Sequence, residues 1–163
     1  MWRIIRISIF LVTALGAFAQ PYVNYRGVVN AGSFSPAGLN GSEIAQGSIF
    51  AIFGQGLGPA LAKVSVFPLS TTLAGVSVKV IQGNTRLDAI PLVVTPGQVN
   101  AIMPSNAPLG RVSIQVTYTD PTNGPGTSNT TSAVVAASSF GILAVNSGGF
   151  GFCRTSSRRR TGR

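Results

Sequence analysis

The chain has 163 residues, of which 45% are hydrophobic and only 9% are charged, and its formal net charge is +9. It contains no histidine and a single cysteine, Cys153. These counts exclude a Ser-His-Asp or Cys-His catalytic arrangement and an intramolecular disulfide. A length near 150 residues indicates one domain that is large enough to bury a sizeable core.

The positive charge is concentrated at the two ends of the chain. Two arginines lie in the first six residues and five in the last eleven, whereas residues 20–152 carry five basic and three acidic side chains, a net charge of +2. The central part is therefore close to neutral, and we expect no specific nucleic-acid binding there.

The first nineteen residues have the layout of a secretory signal peptide. Arg3 and Arg6 precede an apolar stretch from Ile7 to Phe18, and the small residues that end at Ala19 suit signal peptidase. The apolar stretch is shorter than the ~20 residues of a membrane-crossing helix, so a retained anchor is the less favoured alternative. We expect a secreted or cell-envelope protein, extracellular or periplasmic, whose mature chain begins at Gln20 and has no transmembrane segment.

Seven segments of the mature chain have the composition or alternation of β-strands. In chain order they are 22–29, 49–53, 76–80, 92–95, 98–103, 111–118 and 132–137. The clearest is 111–118, in which apolar and polar residues alternate strictly. The run 49–53 is continuously apolar, which fits a central strand covered on both faces. Because no helical pattern of convincing length is present, the sequence predicts an all-β fold, an immunoglobulin-like antiparallel β-sandwich or a small barrel.

Three stretches between these strands are predicted to be turns or loops. Pro96-Gly97 is a type II turn signal that joins two strands into a hairpin. Residues 120–129 read as a long polar loop in which Asp120 starts a turn, since they lack the repeated acidic ligands of a calcium loop. The glycine run 54–58 is not followed by a convincing helix, so it predicts a strand-to-loop turn rather than a phosphate cradle.

Four motifs together resemble a known family. They are Asn30–Pro36, Gly47–Gly58, Pro68–Val80 and Pro96–Pro104. Their order and spacing within residues 28–145 resemble the uncharacterised acidobacterial domain first noted at the C-termini of large secreted Solibacter proteins. The stretch that ends at Gly58 is also similar to the opening of IPT/TIG immunoglobulin-like domains. The resemblance implies export, a β-rich accessory module, and no known activity, cofactor or catalytic residue.

The chain departs from that family in two ways. The module follows the predicted signal peptide directly instead of a large upstream domain, and the amino-acid composition changes at Gly148. Beyond this point it consists mainly of glycine, serine and arginine, without lysine or acid. We interpret residues 20–147 as the sandwich domain and 148–163 as a disordered arginine-rich tail. Our hypothesis is that the tail is out-of-frame translation and the sandwich is incomplete at its C-terminus, which exposes an unpaired edge. The functional alternative is that Arg158, Arg159 and Arg160 contact a polyanion.

Three classes of function remain open. The favoured one is a non-catalytic accessory module with a structural or adhesive role, which binds an unknown protein or cell-surface polymer and needs no cofactor or metal. The second is a carbohydrate-binding module at the cell surface, with Tyr22 and Tyr25 as ligand contacts. The third is an enzyme with a carboxylate pair drawn from Glu43, Asp88 and Asp120. It is the least favoured, because glycosidases generally need two carboxylates across a cleft and each acid has a simpler structural role.

Overall fold

A computed structural model describes residues 20–140 of the chain, which form eleven strands and no helix. The strands are β1 Tyr22–Asn30, β2 Ile44–Ala45, β3 Ile49–Gln55, β4 Lys63–Val64, β5 Thr72–Leu73, β6 Val76–Gln82, β7 Thr85–Val94, β8 Gln98–Ile102, β9 Gly110–Asp120, β10 Gly124–Thr127 and β11 Thr131–Ala136. The predicted all-β class is confirmed. The leader and the arginine-rich tail, with Arg158, Arg159 and Arg160, lie outside the described residues. Between residues 20 and 140 no helix could cross a membrane.

The strands form two packed layers that share one strand. One layer has the order β1-β3-β8-β7-β4 and the other β7-β6-β9-β11-β2, with β5 beside β6 and β10 beside β9. Neighbours are antiparallel except for β2 and β11, which are parallel. With the seven longest strands labelled A to G in chain order, the layers read A-B-E-D and D-C-F-G, which is the strand order of immunoglobulin domains. The predicted immunoglobulin-like sandwich is thus confirmed.

Strand β7 belongs to both layers. Its first half, Thr85–Ala89, pairs with β6, and its second half, Ile90–Val94, pairs with β8. The register shifts between Pro91 and Val93. A proline cannot donate to the ladder and is tolerated in a sheet at such an irregularity, where the strand bends from one layer into the other. The sequence predicted a strand only from residue 92 onward, so the first half of β7 was missed.

The core lies between the two layers and is built mainly from aliphatic side chains. Alternate residues of β6 and β9 point inward, as predicted, and are at most 1% exposed: Val76, Val78, Val80, Val112, Ile114 and Val116. Phe50 on β3 and Leu57, just after that strand, are fully buried against them. Among the described residues no buried side-chain nitrogen or oxygen lacks a hydrogen-bond partner. Burial of these aliphatic side chains is the main source of stability.

Strand β3 is central within its layer but is not covered on both faces along its whole length. Ala51 is fully buried, whereas Ile49 is 40% exposed. Phe53 is half-buried beneath Phe34, whose ring centroid lies 6.4 Å away. The prediction of two covered faces is therefore wrong at Ile49, because the outer face of a two-layer sandwich is covered only where a loop folds over it.

The turn between β7 and β8 is a hairpin, as predicted, but it is not of type II. A type II turn requires a positive φ at its second central residue, and Gly97 has none. The carbonyls of Pro96 and Gly97 instead accept hydrogen bonds from the backbone N–H groups of Leu57 and Gly54, at 2.9 and 3.0 Å. These contacts with the 54–58 turn, which is a strand-to-loop connection as expected, fix the hairpin backbone in a different conformation.

Residues 120–129 are not a loop throughout. The segment Gly124–Thr127 forms β10 and pairs antiparallel with the end of β9. The loop prediction is wrong there because the pairing rests mainly on backbone groups, and Gly-Pro-Gly-Thr shows no side-chain alternation. The turn prediction is confirmed at Asp120, whose Oδ1 accepts hydrogen bonds from the N–H groups of Thr122 and Asn123 at 2.8 and 2.9 Å.

Strand β1 runs beside β11 and the residues that flank it. At its start, the Asn129 side chain accepts a hydrogen bond from Val23 N at 2.8 Å and donates one to Val23 O at 3.0 Å. At its end, Asn30 Nδ2 donates to Ser139 Oγ at 3.4 Å. Since both strands progress from the first contact to the second, β1 and β11 run in the same direction.

Candidate functional site

Strand β1 contains a bulge that projects two side chains from the sheet. The register with β3 shifts between Val23 and Val28. Within this bulge Arg26 has a φ of 56°, a left-handed conformation that is uncommon for a residue other than glycine. Tyr25 is 84% exposed, and the Arg26 guanidinium lies 5.5 Å from the centroid of its ring. Bulges often re-aim side chains in this way near binding sites.

The bulge forms one wall of an open groove with a volume of about 510 Å³. Residues of β9 and β11 form most of the rest, with Arg111 opposite Val134 and Ser113 opposite Ser132, and the segment after β1 contributes Ala37 and Gly38. We call this site the arginine groove and define it by Tyr25, Arg26, Arg111, Ser113, Thr130 and Ser132. The groove thus combines an aromatic ring, two guanidinium groups and several hydroxyl groups.

The arginine groove carries positive charge without a matching acid. None of its lining residues is Asp or Glu. Between residues 20 and 140 the only side-chain ion pair joins Lys79 to Asp88, on β6 and β7. The guanidinium groups of Arg26 and Arg111 are therefore not neutralised by any described carboxylate, so the groove favours negatively charged ligands.

The two tyrosines predicted as ligand contacts do not lie in the same site. Tyr25 lines the arginine groove, whereas Tyr22 is not among its lining residues and pairs with Gln55 at the start of β1. Sequence reasoning missed Arg26 and Arg111, because the register that brings β1 beside β9 and β11 is set by tertiary pairing. The available signal in the sequence was Arg111, which opens the alternating strand 111–118.

A second surface lies at the β4 end of the layer β1-β3-β8-β7-β4. Strand β4 pairs with the second half of β7, and on its other side no strand follows among the described residues. Four apolar side chains here are between 66% and 87% exposed: Leu61, Val64, Val66 and Phe67. We call residues 61–67 the β4 edge. The sequence did not predict this strand, because only two of its residues pair regularly.

The three acidic residues occupy separate places. Asp88 is paired with Lys79, Asp120 is used by the β9–β10 turn, and Glu43 precedes β2 with its backbone carbonyl bound by Asn30. From the strand registers, Asp88 and Asp120 are two strands and several residues apart, about 19 Å. Glycosidase carboxylates lie within roughly 5–9.5 Å of each other. These two acids therefore do not form the pair that the enzyme alternative requires.

The turn that contains Asp120 borders a smaller depression of about 410 Å³, lined largely by glycine and proline. The backbone N–H groups of Asn123 and Thr122 lower the pKa of the Asp120 carboxyl. The pKa of the neighbouring Tyr118 hydroxyl is raised, first by burial and then by the negative charge of Asp120. Because the carboxylate already stabilises the turn, this depression offers few free groups to a ligand. Within residues 20–140 no cluster of three His, Cys, Asp or Glu side chains could hold a metal ion.

Comparisons of the chain with protein-family models, with curated proteins and with solved structures find no match. The resemblance to the acidobacterial domain and to IPT/TIG domains therefore stays a prediction, as do export and the signal peptide. Any function has to be inferred from the geometry of the arginine groove and the β4 edge.

Proposed function

We propose that this protein is an exported, non-catalytic interaction module that binds another protein through the β4 edge. The observation that supports this most strongly is the exposure of Leu61, Val64, Val66 and Phe67 along one free sheet edge. Single exposed apolar residues are normal on protein surfaces, whereas a contiguous group is typical of an interaction site.

The backbone of the β4 edge is arranged to accept one more strand. Ser65 donates its N–H inward to the carbonyl of Leu92 at 2.8 Å. In a regular antiparallel strand the groups of the neighbouring residues, Val64 and Val66, then point outward. An extended partner segment can pair with these groups while its side chains contact the two valines. Backbone pairing supplies affinity and the apolar side chains supply selectivity.

The flanking residues limit indiscriminate pairing at this edge. Lys63 places a charge within β4, and Pro59 and Pro68 stand on either side of the segment. Charges and prolines are common means of preventing edge-to-edge aggregation. A short edge bounded in this way fits a partner strand of a few residues, which supports a selective interaction rather than open-ended association.

A peptide-library selection against the full chain tests the proposal. We expect extended peptides with alternating apolar residues, whose affinity falls about tenfold or more in Val66→Lys, because a charged group replaces a buried apolar contact. Leu109→Lys is the matched control, since Leu109 is 54% exposed on a different part of the surface. Peptides that bind the parent and Val66→Lys equally well would contradict the proposal. Enrichment of peptides similar to residues 61–67 would identify the partner as a second copy of this chain.

A further inference from the structure

The arginine groove brings together three kinds of chemical group. They are the cations of Arg26 and Arg111, the exposed ring of Tyr25, and the hydroxyl groups of residues such as Ser113 and Ser132. A volume of about 510 Å³ is within the range of small-ligand sites. We propose that the groove binds an acidic saccharide, a short chain of sugar rings that carry carboxylate groups.

The two arginines account for the acidic part of the ligand. A guanidinium presents a planar fork of N–H donors that matches a carboxylate with two parallel hydrogen bonds. Arg26 and Arg111 share one open groove, and no acid lines it. Two like charges placed in this way repel each other, and a bound carboxylate group relieves the repulsion. The groove therefore selects an anionic ligand over a neutral one of the same shape.

Tyr25 accounts for the ring of the ligand. Its side chain is 84% exposed, so the ring is accessible to a ligand. An aromatic ring offers a flat apolar surface on which the C–H face of a sugar ring can stack. The Arg26 guanidinium lies 5.5 Å from the ring centroid. Because Arg26 covers one face of the ring, a sugar stacks on the other face and lies within a site that carries cations.

The backbone holds these groups in fixed positions before any ligand arrives. Arg26 keeps a left-handed backbone, with φ of 56°, inside the β1 bulge. On the other wall, Ser113 lies directly opposite Ser132 in the β9–β11 ladder, next to the pair formed by Arg111 and Val134. The hydroxyl groups therefore form a row across two strands. A row of hydroxyl groups can both donate and accept, as the hydroxyl groups of a sugar require.

The same features argue against nucleic acid as the ligand. Single-stranded nucleic-acid sites combine a strongly positive groove along the backbone with several aromatic side chains on which successive bases stack. The arginine groove has one aromatic residue, Tyr25, and two cations. Residues 20–140 as a whole carry a net charge of only +2. A carboxylated saccharide, which does not need several aromatic side chains on which bases stack, fits this site better.

The test is calorimetric titration of the full chain with a trimer of galacturonic acid and with the neutral trimer of galactose. All proteins carry glutamine in place of the five tail arginines, Arg154→Gln, Arg158→Gln, Arg159→Gln, Arg160→Gln and Arg163→Gln, so that the tail does not contribute to anion binding. We expect the acidic trimer to bind at least about tenfold more tightly than the neutral one, and its affinity to fall at least about tenfold in Arg111→Gln and in Tyr25→Ser.

Two controls separate the groove from general effects. Arg86→Gln removes the same charge from an exposed site on β7 outside the groove and should leave the affinity unchanged. Tyr25→Phe keeps the aromatic ring and should also retain binding. The proposal is overturned if the acidic trimer does not bind or binds no better than the neutral trimer. Equal losses in Arg86→Gln and Arg111→Gln, or tighter binding of a trinucleotide than of the acidic trimer, would also overturn it. Each variant is checked for folding by circular dichroism.

Discussion

Replacing Asn129 with alanine is expected to loosen the contact between the first and the last strands. The Asn129 side chain acts as a substitute strand, because it binds both the N–H and the C=O of Val23. The Val23 residue is fully buried, so its backbone groups have few other partners available. Alanine at position 129 removes both hydrogen bonds and leaves one donor and one acceptor unpaired.

The size of the effect follows from these two bonds. A typical hydrogen bond contributes about 0.5–1.5 kcal/mol net, and a buried group left without a partner costs about 1–3 kcal/mol. Because Asn129 itself is exposed, water replaces part of the lost contact. We therefore expect the free energy of unfolding to fall by about 2–3 kcal/mol.

Urea unfolding of the full chain, followed by circular dichroism, measures this change as a shift in midpoint at constant slope. The matched control is Asn123→Ala, since Asn123 is exposed in the β9–β10 turn and only its backbone takes part in the turn. A loss below about 0.5 kcal/mol, the range of ordinary surface substitutions, would refute the reasoning. A loss equal to that of the control would refute it as well.

Three further predictions concern the turns and the core. In the folded state the pKa of Asp120 is lowered from its ordinary 3.8, so its charge stabilises the fold above that pH and this stability is lost as the pH falls below it. The difference in free energy of unfolding between the parent and Asp120→Asn should therefore shrink from neutral to acid pH, and a constant difference would contradict this. Gly75→Ala should destabilise the protein more than Gly83→Ala. Both glycines have positive φ, but only at Gly75 would a Cβ lie 2.6 Å from a backbone oxygen. Equal losses in thermal melts would count against the steric argument. Phe50→Ala should lower the free energy of unfolding in urea by about 3–5 kcal/mol, because Phe50 is fully buried. Phe67→Ala should change it by less than about 0.5 kcal/mol, because that side chain is 87% exposed. A large loss at Phe67 would show that the β4 edge contributes to the core.

The parts of the fold that could be predicted are those in which side chains repeat with the period of a strand. The alternating valines of β6 and β9 indicate both the strand and its inward face, because one face is buried and the other meets water. The short strands β2, β4, β5 and β10 could not be found in this way, since two to four residues do not establish a period. Strands β2 and β4 pair with segments distant in the chain, whereas β5 and β10 pair with the neighbouring strands β6 and β9.

The candidate surfaces were less predictable than the fold. Tyr25, which the sequence suggested as a ligand contact, lines the arginine groove, but its companion Tyr22 lies elsewhere and Arg111 comes from a strand late in the chain. A groove between β1, β9 and β11 depends on the register of three strands and on a bulge at Arg26. No local pattern in the sequence encodes these long-range relations, whereas the Asp120 turn, which uses groups within three residues, was foreseen.

The parallel course of β1 and β11 has a mechanical consequence. The residues just before β1 and those just after β11 lie at opposite poles, about 30 Å apart for a strand the length of β1. Tension applied between those poles pulls the two strands past each other, so the bridges at Asn129 and Asn30 are loaded together in shear instead of being unzipped in turn. Such a geometry resists stretching.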